Sequence, residues 1–72
     1  MVKFENPSFE DAIIGVTTDD RYVYSYEQMI QWLMHKEGWS EEDAIDWIDY
    51  NTIRSLGYIE DAPIIMYEYW EE

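Results

Sequence analysis

The pattern of hydrophobic and polar residues predicts two strands, two helices and a third strand, in that order: the helices show helical periodicity, and the strands are short runs of strand-forming residues. Residues 12–17 and 21–24 are rich in β-branched and aromatic side chains and predict a hairpin, because the Asp residues between them favour a turn. Ser8 and Asp11 could instead cap a helical turn just before the first strand. Residues 63–70 are rich in strand formers and begin with proline, which is tolerated at the start of a strand.

Serine and glycine residues mark the ends of the two predicted helices. Ser25 lies three residues before Gln28, which is the spacing of a capping box, and Gly38 favours the left-handed conformation that ends a helix. Ser40 begins the second helix and Gly57 ends it. The stripes expected to face the core are Tyr26, Met29, Ile30, Leu33 and Met34 in the first helix, and Ala44, Ile45, Ile48, Thr52 and Leu56 in the second.

The element order ββααβ predicts an α+β fold, with a small antiparallel sheet of about three strands and a helical hairpin packed on one face. The 72 residues are expected to form one domain, 1–72, because a chain of this length has room for a single small core. No internal repeat and no linker rich in Gly, Ser or Pro divides the sequence.

Negative charge dominates the composition. The chain carries 17 Asp and Glu residues against 4 Lys and Arg, and residues 37–72 contain eleven acids and one base, Arg54. A hydrophobic fraction of 47% excludes a disordered acidic tail, which needs low hydrophobicity as well as high charge. A net charge of −13 is repelled by phosphate backbones and anionic lipids, so we expect no direct nucleic-acid binding and no membrane binding.

The sequence predicts no catalytic residue, no metal site and no cofactor. It has no cysteine and a single histidine, His35, which we expect near the end of the first helix. Asp19 and Asp20 lack the alternating ligands of a calcium-binding loop and are predicted to be turn residues. No phosphate-binding glycine loop and no nucleophile motif is present. We therefore expect a protein that is not an enzyme.

The second predicted helix carries a row of acids on one face. Glu42, Asp46 and Asp49 are spaced four and three residues apart, and Glu41 and Asp43 flank them. Such a row can imitate successive phosphates of a nucleic-acid strand and occupy a basic channel on another protein. The alternative is a solvated helix face that keeps a small protein soluble, although solubility needs a net charge of only about 2–8.

Aromatic residues are too numerous for so small a core. The chain has seven Tyr, four Trp and two Phe, so some rings are expected at the surface, where Tyr and Trp form the hot spots of protein interfaces. Alternatively, the rings wrap the sides of a thin core with their polar tips in water. The predicted partner-binding residues are Glu41, Glu42, Asp43, Asp46, Asp49, Trp39 and Trp47.

Four stretches of the sequence are similar to those of a known protein family: residues 13–17, 21–30, 44–56 and 62–66. They resemble a family of very small acidic proteins found in phages and prophage-like regions of Gram-positive bacteria, over nearly the whole chain. The resemblance implies a mobile-element origin and the bacterial cytoplasm as location, but members of this family have no defined biochemical role. Relatives often have proline after the leucine that ends the second helix, where this chain has Gly57.

Two functions follow as expectations. Small phage proteins of this charge often inhibit host nucleases by imitating nucleic acid. The first expectation is therefore a phage-type inhibitor that occupies a basic surface of a bacterial protein such as a CRISPR or restriction nuclease. The alternative is a self-associating module, a homodimer through exposed aromatic residues whose acids serve solubility. Rising salt would weaken an acid-driven complex but barely affect an aromatic dimer.

Overall fold

The computed structural model describes residues 1–69 and confirms the α+β fold. Of these described residues, 48% are helical and 16% are strand. The main elements are β1 Ile13–Val16, β2 Tyr22–Ser25, α1 Tyr26–Glu37, α2 Glu41–Trp47 and β3 Ile64–Met66. A 3-10 turn, Glu10–Ala12, precedes β1, and a π-helical segment, Ile48–Ile53, and a second 3-10 turn, Leu56–Tyr58, follow α2.

The sheet has the strand order β1-β2-β3. The prediction of an antiparallel sheet is wrong for one of its two strand pairs. The β1–β2 hairpin is antiparallel, with an irregularity in register between Ile13 and Gly15. Strand β3 runs parallel to β2, with Val23 opposite Ile64 and Ser25 opposite Met66. A parallel pair requires a crossover of a dozen or more residues, which the two helices between β2 and β3 provide. The sheet is therefore mixed.

Both predicted ends of α1 and the predicted start of α2 are confirmed. The Ser25 hydroxyl accepts a hydrogen bond from the Gln28 backbone N–H at 3.2 Å. Gly38 follows α1 with φ 71° and ψ 22°, the left-handed conformation that glycine adopts at low cost. The Ser40 hydroxyl accepts from the Asp43 backbone N–H at 3.1 Å and so caps α2.

The second helix differs from the prediction after Trp47. There the chain enters the π-helical segment, a geometry that is rare and mostly confined to single turns. Ile48 and Thr52 are buried within it, as the predicted stripe requires. Gly57 does not end the helix in a left-handed cap; it lies inside the final 3-10 turn, and the backbone becomes extended at Ile59, with φ −109°.

The core lies where β2, α1, α2 and the N-terminal segment meet. It includes two fully buried aromatic rings outside the predicted stripes, those of Phe9 and Tyr24. Phe9 has a left-handed backbone, φ 49° and ψ 33°, which costs about 1–2 kcal/mol in a non-glycine residue and is offset by burial of the ring. The other members of the buried cluster are Ala12, Met29, Ile30, Leu33, Ala44 and Ile48.

Polar contacts fasten the segment around β3 to the rest of the fold. The Glu68 carboxylate accepts hydrogen bonds from the Ser25 hydroxyl at 2.6 Å and from the Glu27 backbone N–H at 3.1 Å. Arg21 donates from Nε to the Ala62 carbonyl at 2.8 Å. The predicted last strand, 63–70, is reduced to Ile64–Met66, and position 70 lies outside the described residues.

Candidate protein-binding site

Helix α2 presents its acids to solvent. Its first turn holds three acids near the positive end of the helix dipole, where each is mildly stabilising. The Ser40 cap fixes the start of this turn, so the position of each acid follows from the helix geometry. All five predicted acids have exposed side chains, four of them on α2 and one in the π-helical segment: Glu41, Glu42, Asp43, Asp46 and Asp49.

A surface groove of about 410 Å³ lies beside these acids and contains four of the seven predicted partner-binding residues. We call it the Trp39–Trp47 groove; it is lined by Trp39, Asp43, Asp46, Trp47 and Tyr50. The last four residues follow the spacing i, i+3, i+4 and i+7, which puts them on one helix face. Glu41, Glu42 and Asp49 are outside the groove lining.

The two tryptophans form rigid walls of the groove. Their ring centroids lie 6.2 Å apart with an interplanar angle of 52°. Trp47 also contacts the buried Phe9, at a centroid distance of 6.4 Å, and both tryptophans are half-buried against the core. These rings wrap the side of the core, as in the alternative interpretation, and they also line a surface groove.

Tyr50 belongs to the groove but was missing from the predicted site. Its side chain is 71% exposed, and the Arg54 guanidinium lies over its ring at 5.2 Å from the centroid. The Arg54 guanidinium therefore contacts a ring four residues earlier in the chain. The spacing from Asp43 and Asp46 through Trp47 to Tyr50 is the sequence signal that could have included it.

Asp49 has an internal partner, whereas Glu42 and Asp46 of the predicted row have no side-chain partner among residues 1–69. The Tyr26 hydroxyl donates a hydrogen bond to Asp49 Oδ1 at 2.7 Å. Tyr26 in turn packs against Tyr67, with ring centroids 4.7 Å apart. Burial of Tyr26, followed by its hydrogen bond to Asp49 and the negative charge there, raises the pKa of the Tyr26 hydroxyl well above its usual range. Asp49 therefore ties the π-helical segment to α1.

The α2 acids have no ion-pair partner within residues 1–69. The two salt bridges in this part of the chain join Lys3 to Glu10 at 3.4 Å and Arg21 to Asp19 at 3.8 Å, and all four residues precede α1. Neither bridge involves a residue of the more acidic half. The negative charge of α2 therefore remains available to an external cation.

The other polar residues of interest are the single histidine, at the end of α1, and the turn residues that follow β1. His35 is exposed in the last turn of α1, as expected. The Thr17 hydroxyl donates to the Asp19 carboxylate and lowers the pKa of that carboxyl, which agrees with a role in the turn. Across residues 1–69, no group of three His, Asp or Glu side chains is placed to hold a metal ion. Every helix in the same part of the chain is too short or too polar to span a bilayer.

Comparisons with protein-family models, with curated proteins and with solved structures found no match to this chain.

Proposed function

We propose that this chain is a non-enzymatic binding protein whose α2 surface docks on a basic surface of a bacterial protein. The observation that carries this proposal is a set of exposed acids without ion-pair partners in residues 1–69, directly beside a groove lined by aromatic rings. Exposed charges steer association and set specificity, while aromatic rings supply contact area at low entropic cost. Together they form the two parts of a protein interface.

The acids of α2 and Asp49 of the π-helical segment form a row of negative charges that can imitate part of a nucleic-acid strand. An α-helix rises about 1.5 Å per residue, so Glu42 and Asp46 lie about 6 Å apart along the axis of α2, and Asp49 follows them. One DNA strand carries about one phosphate per 3.4 Å of axis, so the step from Glu42 to Asp46 spans about two phosphates. The hydrogen bond from Tyr26 fixes the position of Asp49.

The partner in this proposal is a nucleic-acid enzyme, such as a CRISPR or restriction nuclease, and the effect is inhibition. A protein that fills the basic channel excludes DNA by direct competition. The resemblance to small acidic phage proteins supports this setting, because a phage benefits from blocking host nucleases. Inhibition by occupancy requires no catalytic group in this chain.

Competition with DNA tests the proposal. A labelled duplex is bound to a purified RNA-guided nuclease and, separately, to a purified restriction endonuclease. The chain is then titrated in, and fluorescence anisotropy reports displacement at several salt concentrations. We expect displacement of DNA from at least one of the two nucleases, with an affinity that falls as salt rises.

Neutralising the α2 acids separates their role from that of net charge. The test variant carries Glu42→Gln, Asp43→Asn and Asp46→Asn, and leaves Asp49 intact because that carboxylate has an internal partner. Its inhibition should weaken about tenfold, since three exposed ion pairs contribute about 0.5 kcal/mol each. The matched control removes equal charge from exposed acids on other elements, by Glu5→Gln, Asp11→Asn and Glu60→Gln.

Three outcomes would contradict the proposal. Equal weakening by both triple variants would mean that only net charge matters. Failure to displace DNA from either nuclease at low salt would exclude the proposed inhibition. A dimer in sedimentation that persists at all salt concentrations, without any displacement of DNA, would favour the self-associating module.

A further inference from the structure

We propose that the Trp39–Trp47 groove receives an arginine side chain of the basic partner. This inference rests on the proposed function, since it names the group that the acidic surface recognises. The groove has a volume of about 410 Å³ and combines three aromatic rings with two carboxylates, those of Asp43 and Asp46. Those are the two kinds of group that bind a guanidinium.

The arrangement of the lining residues fits a planar cation. Asp43 and Asp46 lie three residues apart on one helix face, so their Cβ atoms are about 5–6 Å apart. The five N–H donors of a guanidinium form a fork that carboxylates accept from in pairs, and its flat faces stack on aromatic rings. The tilted walls of Trp39 and Trp47 offer such faces on a rigid support.

The chain already shows this chemistry at the edge of the groove. The Arg54 guanidinium lies over the Tyr50 ring at 5.2 Å, and within residues 1–69 it has no carboxylate within ion-pair distance. The ring therefore holds a guanidinium by stacking alone. An incoming arginine would meet two carboxylates in addition. Lysine fits less well, because its ammonium is more strongly hydrated and cannot stack as a plane.

Charge complementarity selects a basic partner over a second copy of the chain as the source of this arginine. The chain has 4 Lys and Arg residues and a net charge of −13, so two copies repel each other. The chain has two arginines: Arg21 donates a hydrogen bond to the Ala62 carbonyl, and Arg54 lies over Tyr50. A protein with a basic nucleic-acid channel presents many arginines.

Two short peptides of equal charge test the inference without knowledge of the partner. Hexa-arginine and hexa-lysine are titrated into the intact chain at low salt, and the indole N–H signals are followed by NMR. We expect hexa-arginine to bind about fivefold tighter than hexa-lysine, because a guanidinium stacks on aromatic rings and pairs with carboxylates, and to shift the indole signals of Trp39 and Trp47 more than that of Trp32.

The exposed tyrosines provide a matched pair of variants. Tyr50→Ser should reduce the affinity for hexa-arginine about threefold, roughly what one exposed cation–π contact supplies, and should reduce the affinity for hexa-lysine less, because an ammonium cannot stack as a plane. Tyr58→Ser removes a ring that is 93% exposed and lies outside the groove, so it should have no effect. Both residues are largely exposed, so we expect both variants to fold.

The failures of the two proposals are distinguishable. Equal binding of both peptides, with Tyr50→Ser no different from Tyr58→Ser, would overturn the arginine site and leave acidic docking intact. Hexa-arginine shifts that avoid Trp39 and Trp47 would overturn it as well. Absence of binding by either peptide at low salt would overturn docking on a basic surface together with the arginine site.

Discussion

Replacing Tyr26 by Phe removes one hydroxyl and no other atom, and so isolates the link between α1 and the π-helical segment. The hydroxyl donates to Asp49 Oδ1 at 2.7 Å across 23 residues of sequence. Replacing Asp49 by Ala removes the acceptor. Asp46→Ala is the matched control, because Asp46 is an exposed acid of the same helical stretch and has no side-chain hydrogen bond to another of residues 1–69.

The expected size of the effect follows from the geometry of the bond. A hydrogen bond to a charged group contributes about 1.5–3 kcal/mol to stability when it is shielded from water. Asp49 is exposed and Tyr26 is half-buried, so solvent screening reduces the expected value to about 1 kcal/mol. In a domain of this size, 1 kcal/mol corresponds to a fall of about 4–8 °C in Tm. Asp46→Ala should be neutral or slightly stabilising, because alanine is the better helix former.

A double-mutant cycle measures this bond directly. The free energy of unfolding is determined in urea, with tryptophan fluorescence as the signal, for the wild type, Tyr26→Phe, Asp49→Ala and the double variant. We expect a coupling energy of about 1 kcal/mol, with the double variant little less stable than either single variant. A coupling energy below about 0.3 kcal/mol, or equal effects of Asp49→Ala and Asp46→Ala, would refute the role of this bond.

Two further predictions concern pH and helix capping. Because burial and the Asp49 carboxylate raise the pKa of Tyr26 above its ordinary value of 10.0, the folded state binds this proton more tightly than the unfolded state, and stability should fall as pH rises above 10. Tyr26→Phe should show a smaller fall in Tm across this range, and an identical fall would contradict the assignment. Ser40→Ala should cost about 1 kcal/mol in urea unfolding, since it removes the acceptor for the Asp43 backbone N–H, whereas Ser40→Gly should cost only a few tenths. A cost of Ser40→Ala below about 0.3 kcal/mol would mean that the cap contributes little.

The sequence predicted those features that depend on residues close together along the chain. The Ser25 and Ser40 caps each join a hydroxyl to a backbone N–H three residues later, and Gly38 needs only its own backbone freedom. The β1–β2 hairpin joins strands separated by a short turn. Such contacts are set by local spacing, so the element order and the α+β class followed from the pattern of residues.

The candidate site was predictable to the extent that it lies on one helix. Asp43, Asp46 and Trp47 share a face because of helical spacing, and Trp39 precedes the capping serine. The same spacing includes Tyr50, which was not among the predicted partner-binding residues. The sequence alone could not show that Trp39 and Trp47 contact each other, because that contact depends on how the connection before α2 folds back.

The tertiary structure decided the remaining features, all of which join distant parts of the chain. The direction of β3 depends on which strand it pairs with, and it pairs with β2 after the helical crossover. The internal partner of Asp49 is Tyr26, a residue of another helix, and the burial of Phe9 requires rings from both helices. Local propensity carries no information about such pairings, because their free energy is gained only when the whole core is packed.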